Sequence, residues 1–383
     1  MKQNHCAFVD KGLRLKMYDK GPKQLYASTK PCCHLSHTLV PQKISNFQKL
    51  DNPATIMDSI GLTYFRDYFD QNEDLHPACL ACKNYEDKGI ESPREKYNRL
   101  EEKYIKYDIS KLDVVLGNTC NLACPFCASA SSSLIDKLSN NLDINNRPKN
   151  WTPLANNHAP GTVYTSDVVA EILKNYKVHT LKLVGGEPFL AENWSKIAEA
   201  IDKGYCKDLK LEVTTNGTII NNEILSRLAK TRSARIMISV DSIGSNYEFI
   251  RWPHTWKKIE KNLNFLKNNQ VDNVKIAIDN LVNIFNFEFL PEIEEYFWNT
   301  KRVGYSCEIK PATSLMNYQN LPEHIINKVK NRLRNDDLRN TLVSGNNNYS
   351  KEQLRHEFIV LLAQRKMKAE DVIGPLTREY LEL

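Results

Sequence analysis

The sequence is short of long apolar runs. The first ten residues, "MKQNHCAFVD", contain no stretch like the core of a signal peptide, and no segment is long enough to cross a bilayer. The expected compartment is therefore the cytoplasm, and no membrane partner is expected. A large excess of charge of one sign is lacking as well. The net charge is +6 over 383 residues. A nucleic-acid-binding chain concentrates its Lys and Arg, so nucleic acid is not an expected partner. Apolar residues make up 41% of the chain, enough for a large core.

Cysteine is plentiful, with ten in the chain. In a reducing compartment these are metal ligands or free thiols before they are disulfides. Five lie before residue 100: Cys6, Cys32, Cys33, Cys79 and Cys82. Three crowd into "GNTCNLACPFCASASSS" as Cys120, Cys124 and Cys127, spaced Cys-x3-Cys-x2-Cys. Cys206 and Cys307 stand alone and read as bland thiols, since free Cys behaves as a small hydrophobe.

From about residue 110 short β-rich runs alternate with amphipathic helical runs. Strands are expected at "LDVVLGN" (112–118), "HTLKLVGGEP" (179–188), "LKLEVTTNG" (209–217), "ARIMISVDS" (234–242), "VKIAIDN" (274–280) and "YSCEIKP" (305–311). Such alternation argues for parallel βαβ units. Six units predict an α/β fold, a partial (β/α)6 TIM-like barrel, over residues 106–315. Residues 1–105 read as a separate small cysteine-rich module, and 316–383 as a helical extension without motifs. A polar insertion (140–161) follows the helix after the triplet and reads equally as a binding loop, a lid or a disordered segment.

Functional groups gather at the C-terminal ends of parallel strands. Here those ends carry the cysteine triplet, "GGEP", "TTNGT", "SVDS" and "EIKPA". Three thiolates on a cluster of four irons leave one iron open, which is what a catalytic metal needs. The duller alternatives are a zinc site completed by a His, and a plain turn at "GGEP".

The triplet, followed in order by "GGEP" (185–188), "TTNGT" (214–218) and "SVDS" (239–242), resembles the radical S-adenosylmethionine (SAM) enzymes. The resemblance implies that Cys120, Cys124 and Cys127 ligate a 4Fe–4S cluster whose fourth iron is chelated by SAM. It implies that Phe126 packs near the adenine and that Gly185, Gly186 and Glu187 receive the methionine amino group. Asn216 and Ser239 would contact the ribose or the methionine carboxylate, and Asp241 and Arg251 would make polar contacts to SAM. An external reductant such as flavodoxin or ferredoxin is a further implied partner.

The N-terminal cysteines resemble the twitch module, a half-size relative of the SPASM domain, as it occurs in radical SAM proteins of phage and marine bacterial genomes. The matching pieces are Cys6, "CC" at 32–33, Cys79 to Cys82, "GIESPR" and "GNTCNLAC". The resemblance implies a second, auxiliary 4Fe–4S cluster on Cys6, one of Cys32 and Cys33, Cys79 and Cys82; zinc is the alternative. It also implies hydrogen abstraction from a peptide or protein by a 5′-deoxyadenosyl radical. A small metabolite, sugar or nucleoside substrate is the runner-up, and a non-catalytic Fe–S or zinc protein a third reading. Asp279 and Glu308 are candidates for substrate contact or, more plainly, structural carboxylates.

Overall fold

The computed structural model describes residues 6–19, 25–32, 34–35, 48–49, 52–154, 164–299, 307–311, 314–343, 345 and 349–383. Cys33 and residues 155–161 of the polar insertion lie outside the described residues. The chain forms two compact units that interleave along the sequence. The first holds residues 1–119, 155–213 and 222–234; the second holds 120–154, 214–221 and 235–383.

Nine strands are described: β1 (Gly12–Asp19), β2 (Leu25–Lys30), β3 (Gln48–Lys49), β4 (Ile109–Val115), β5 (Val178–Val184), β6 (Lys210–Thr215), β7 (Ser233–Ser239), β8 (Val274–Val282) and β9 (Cys307–Pro311). In the first unit the order is β3-β2-β1-β4-β5-β6. Pairings β1–β4, β4–β5 and β5–β6 are parallel, while β2 runs antiparallel to both β1 and β3. In the second unit β8 pairs in parallel with β9, with Asp279 opposite Glu308. The fold is thus α/β with a mostly parallel sheet, and the six strands expected after residue 106 are present.

No strand was expected from the sequence before residue 112, yet three lie there. The signal was available in "GLRLKMYD", where Leu13 and Leu15 alternate with Arg14 and Lys16. Period-two alternation is the mark of a half-buried strand, and both leucines are fully buried. Lys11 caps this region by donating from Nζ to the carbonyls of Tyr104, Ile105 and Tyr107.

The insertion is anchored where it is described. Trp151 is fully buried. The backbone N–H of Lys149 donates to both Glu357 oxygens, at 3.0 and 3.1 Å, and that of Leu154 to Asp136 Oδ1 at 3.1 Å. The C-terminal segment packs on the second unit through Phe358 against Phe285, ring centres 4.7 Å apart. Among the described residues no helix is long and apolar enough to cross a membrane.

Candidate functional site

In the first unit β5 ends at Val184 and the chain turns through Gly185 (φ +90°) and Gly186 (φ +50°). Both angles favour glycine. A Cβ at Gly185 would lie 2.7 Å from Val115 Cγ1, and one at Gly186 would lie 2.3 Å from the Thr119 carbonyl oxygen. The glycines thus let this turn lie against residues 115–119. Glu187 then donates its N–H to Thr119 O (2.8 Å), and Asn193 Nδ2 donates to Glu187 O (2.8 Å). The Glu187 side chain is fully buried, and its Oε1 accepts the Phe189 N–H at 3.0 Å.

In the second unit the cysteine loop is braced from several sides. Ser132 Oγ donates to Leu122 O (2.6 Å) while capping the helix Ser133–Asn140 through the Ile135 N–H. Cys120 N–H donates to Ser133 Oγ at 3.1 Å, and Ala123 N–H to Trp252 O at 2.8 Å. "SASSS" is therefore the polar buttress of the loop as well as a helix start.

The sulfurs are met by N–H donors. Asn216 Nδ2 lies 3.8 Å from Cys120 Sγ and also donates to Asn121 Oδ1 at 2.8 Å. Its orientation is fixed because its Oδ1 accepts from both Thr218 N and Oγ1. Arg251 Nη1 lies 3.7 Å from Cys124 Sγ, and the guanidinium carbon is 5.3 Å from the Phe126 ring centre. Arg251 Nε donates to Asp241 Oδ2 at 2.5 Å, and Asp241 Oδ1 accepts the Leu281 N–H at 3.0 Å. Asp241 therefore stands behind Arg251 and aims it. Ser239 ends β7 and Asp279 lies within β8; the side chain of Glu308 lies outside the described residues.

Burial pushes the Cys127 thiol up to about 12, helped by its neighbours Cys124 and Cys120. Burial also raises the Cys124 thiol, against the opposing fields of Arg251 and Arg365. Burial works against the charge of Arg251, but Asp241 and then Cys124 outweigh it and hold the guanidinium protonated. Arg365 was missed by the sequence reading, because it sits in a tail with no motif, 242 residues from the loop it touches.

The N-terminal cysteines gather in the first unit. Cys6, Cys32 and Cys79 pack on one apolar cluster of Val9, Leu35, Phe65, Phe69 and Ala78. Burial raises Cys6 to about 11 and Cys79 to about 12, and Cys82 acts electrostatically on both. Burial raises Cys82 too, opposed by the Arg94 backbone N–H and the Ser92 hydroxyl. Arg94 is a second residue the sequence reading missed. It grips Glu86 through Nε–Oε1 (3.0 Å) and Nη2–Oε2 (2.7 Å), and Ser92 Oγ adds a 2.5 Å bond to Oε1. "GIESPR" builds this clamp: Ser92 and Glu95 form a capping box, and Pro93 opens the helix. His76 caps the Cys79 turn, its Nδ1 accepting the Ala78 N–H at 3.0 Å.

Among the described residues no three of His, Cys, Asp and Glu converge on a single-ion site. A cubane does not require this, since each thiolate binds its own iron. The donor chemistry fits such a cluster at the triplet. Thiolates there would accept hydrogen bonds from Arg251 at Cys124 and from Asn216 at Cys120, one of the levers by which proteins tune Fe–S centres.

Residues 114–288 match the family model described as Radical SAM superfamily, so this stretch is a radical SAM domain, the domain of a superfamily of SAM-dependent enzymes. Among characterised proteins, the chain is 24% identical over 213 residues to GTP 3′,8-cyclase of Synechocystis sp., covering 54% of this chain and 58% of that protein. It is 40% identical over 72 residues to an S-adenosylmethionine-dependent nucleotide dehydratase of Psychrobacter lutiphocae, covering 19% and 23%. The chain thus spans little more than half of the first relative and under a quarter of the second. Among solved structures, anSMEcpe with bound AdoMet shares 16% identity at a TM-score of 0.38, over 58% of this chain and 57% of that one. Streptococcus suis SuiB bound to S-adenosylmethionine shares 14% at 0.36, over 92% and 70%. Structural likeness this loose assigns no function.

Proposed function

We propose that this chain is a radical SAM enzyme, with a partial barrel at 106–315, an auxiliary twitch-like module at 1–105 and a helical extension at 316–383. The observation that carries the reading is the environment of Cys124: a buried sulfur 3.7 Å from an arginine that Asp241 holds in place. Cys120, Cys124 and Cys127 would hold a 4Fe–4S cluster; reduced from outside by a flavodoxin or ferredoxin, it would supply the one-electron chemistry of reductive SAM cleavage and hydrogen abstraction from the substrate.

The chain's own residues bind and orient. The turn at Gly185, Gly186 and Glu187 offers carbonyls and a buried carboxylate to the methionine amino group, a charged donor. Phe126 offers an apolar face to the adenine. Asn216 and Ser239 offer polar contacts to the ribose or the methionine carboxylate, and Arg251, aimed by Asp241, adds a cation. Burial of Glu187, Asp241 and Cys124 keeps water from these groups. In the same reading Cys6, Cys32 or Cys33, Cys79 and Cys82 carry a closed second cluster, with zinc as the alternative.

The substrate in this reading is a peptide or protein, as the twitch resemblance implies. A nucleotide substrate is the second reading, favoured by the sequence relationship to the GTP 3′,8-cyclases. Anaerobic reconstitution, reduction and measurement of 5′-deoxyadenosine test the reaction class. Product formation is expected; a fully loaded, reduced protein that forms none would overturn it.

A further inference from the structure

The C-terminal segment carries no motif, yet its longest helix, Lys351–Arg365, ends on the cysteine loop. Arg365 is the last residue of that helix, where a cation complements the helix dipole. Its Nη2 donates to the carbonyl of Ala123, between Cys120 and Cys124, at 2.8 Å. Its guanidinium carbon lies 4.8 Å from the centre of the Phe249 ring. The residue is 5% exposed, and its Nε and Nη1 are buried without a hydrogen-bond partner among the described residues.

A buried cation with no anion is costly. The carboxylates that could serve are already engaged. Asp241 gives one oxygen to Arg251 and the other to Leu281 N–H. Glu357, about 12 Å back along the same helix at 1.5 Å per residue, takes the Lys149 N–H. Of the described titratable groups, Cys124 is the one whose field acts on Arg365. Arg251 also reaches Cys124, but it brings its own carboxylate, so that pair adds little net charge. The uncompensated positive charge beside the loop belongs to Arg365.

We propose that Arg365 is a positioning residue for the cluster on Cys120, Cys124 and Cys127: it fixes the loop through the Ala123 carbonyl and balances the thiolate charge that loading brings to Cys124. The inference rests on the reading of the triplet given above. Its consequence is that the C-terminal helix is part of the cluster site. A cation there favours the more negative, reduced cluster and so raises its potential, net charge being one of the protein's levers.

The test compares Arg365→Met, which keeps the apolar stem, with Arg365→Lys, which keeps the charge, in the full chain. Four quantities are measured: iron content, thermal midpoint before and after loading, the midpoint potential of the SAM-responsive cluster, and the dissociation constant of SAM. Before loading, Arg365→Met loses its bond to the Ala123 carbonyl but also a buried charge without an anion, so its stability should stay near that of wild type. It should gain less stability than wild type on loading, and its potential should move to more negative values. Arg365→Lys should recover most of the wild-type potential. Normal loading of Arg365→Met with an unshifted potential would overturn the proposal, as would an unshifted potential with weakened SAM binding, which would put the arginine on SAM instead. Equal loss of stability by both unloaded variants would make Arg365 a structural brace and also overturn it. A wild-type triplet that takes up no cluster would show in its iron content alone, and would overturn the functional reading together with this one.

Discussion

The two cysteine groups differ in how their charges are arranged. At the N-terminal group the cation, Arg94, is held bidentate by Glu86, and that carboxylate also takes the Ser92 hydroxyl. The polar frame there is closed. At the triplet two guanidiniums reach the loop, and among the described residues only Arg251 has a carboxylate. That frame carries spare positive charge and spare donors. Ligand number runs the same way: four cysteines are proposed for the first group, Cys32 or Cys33 being one of them, and three for the second. A closed frame with a full ligand set suits structure or electron transfer; an open one suits a centre to which a cosubstrate also binds.

The sharpest way to break the comparison is to remove the triplet. Cys120, Cys124 and Cys127 changed together to Ala should abolish 5′-deoxyadenosine formation and leave a folded chain; product at the wild-type level would contradict the assignment. Glu187→Gln comes next. It keeps the shape but loses the charge-assisted part of the bond to the SAM amine, worth about 1.5–3 kcal/mol. SAM affinity should fall roughly 10- to 150-fold, and an unchanged dissociation constant would remove Glu187 from the site.

The third contrast is in metal content. Reconstituted wild type should carry about eight irons, from two cubanes. Cys79→Ala with Cys82→Ala should bring this to about four while SAM binding persists. Zinc in the purified wild type, with only about four irons, would make the first group structural.

The smallest effect concerns the clamp beside that group. Burial tends to raise the Glu86 carboxyl, but its bonds to Arg94 and Ser92 win and hold it below its ordinary 4.5. A group depressed in the folded state stabilises fully above its unfolded value and loses that contribution as pH falls toward the folded one. Unloaded wild type should therefore lose stability below about pH 4.5, more steeply than Glu86→Gln. Parallel pH profiles would show that the clamp contributes nothing.

The parts of the site legible in sequence were those where chemistry and local backbone share a short stretch. "GGEP" is readable because the positive φ of Gly185 and Gly186 requires glycine there. The triplet is readable because its sulfurs are close in sequence. The six later strands followed from their apolar runs. What stayed hidden depends on long-range packing. Arg365 and Ala123 are 242 residues apart, and no periodicity links them. Arg94 lay inside a quoted motif, but its partnership with Glu86 appears only once Ser92 and Pro93 turn the chain back. β1 was hidden behind the cysteines that drew attention to residues 1–105, although Leu13 and Leu15 alternate plainly.

The central claim is that one cysteine group is open to SAM and the other is closed. Electron paramagnetic resonance of the reduced, reconstituted chain, recorded before and after SAM is added, tests it most directly when wild type is compared with the Cys79/Cys82 double alanine variant and the triplet variant. The account predicts a SAM-dependent change of signal in wild type and in the double variant, and none in the triplet variant. A SAM-dependent change that survives loss of the triplet, or vanishes with Cys79 and Cys82, would contradict it.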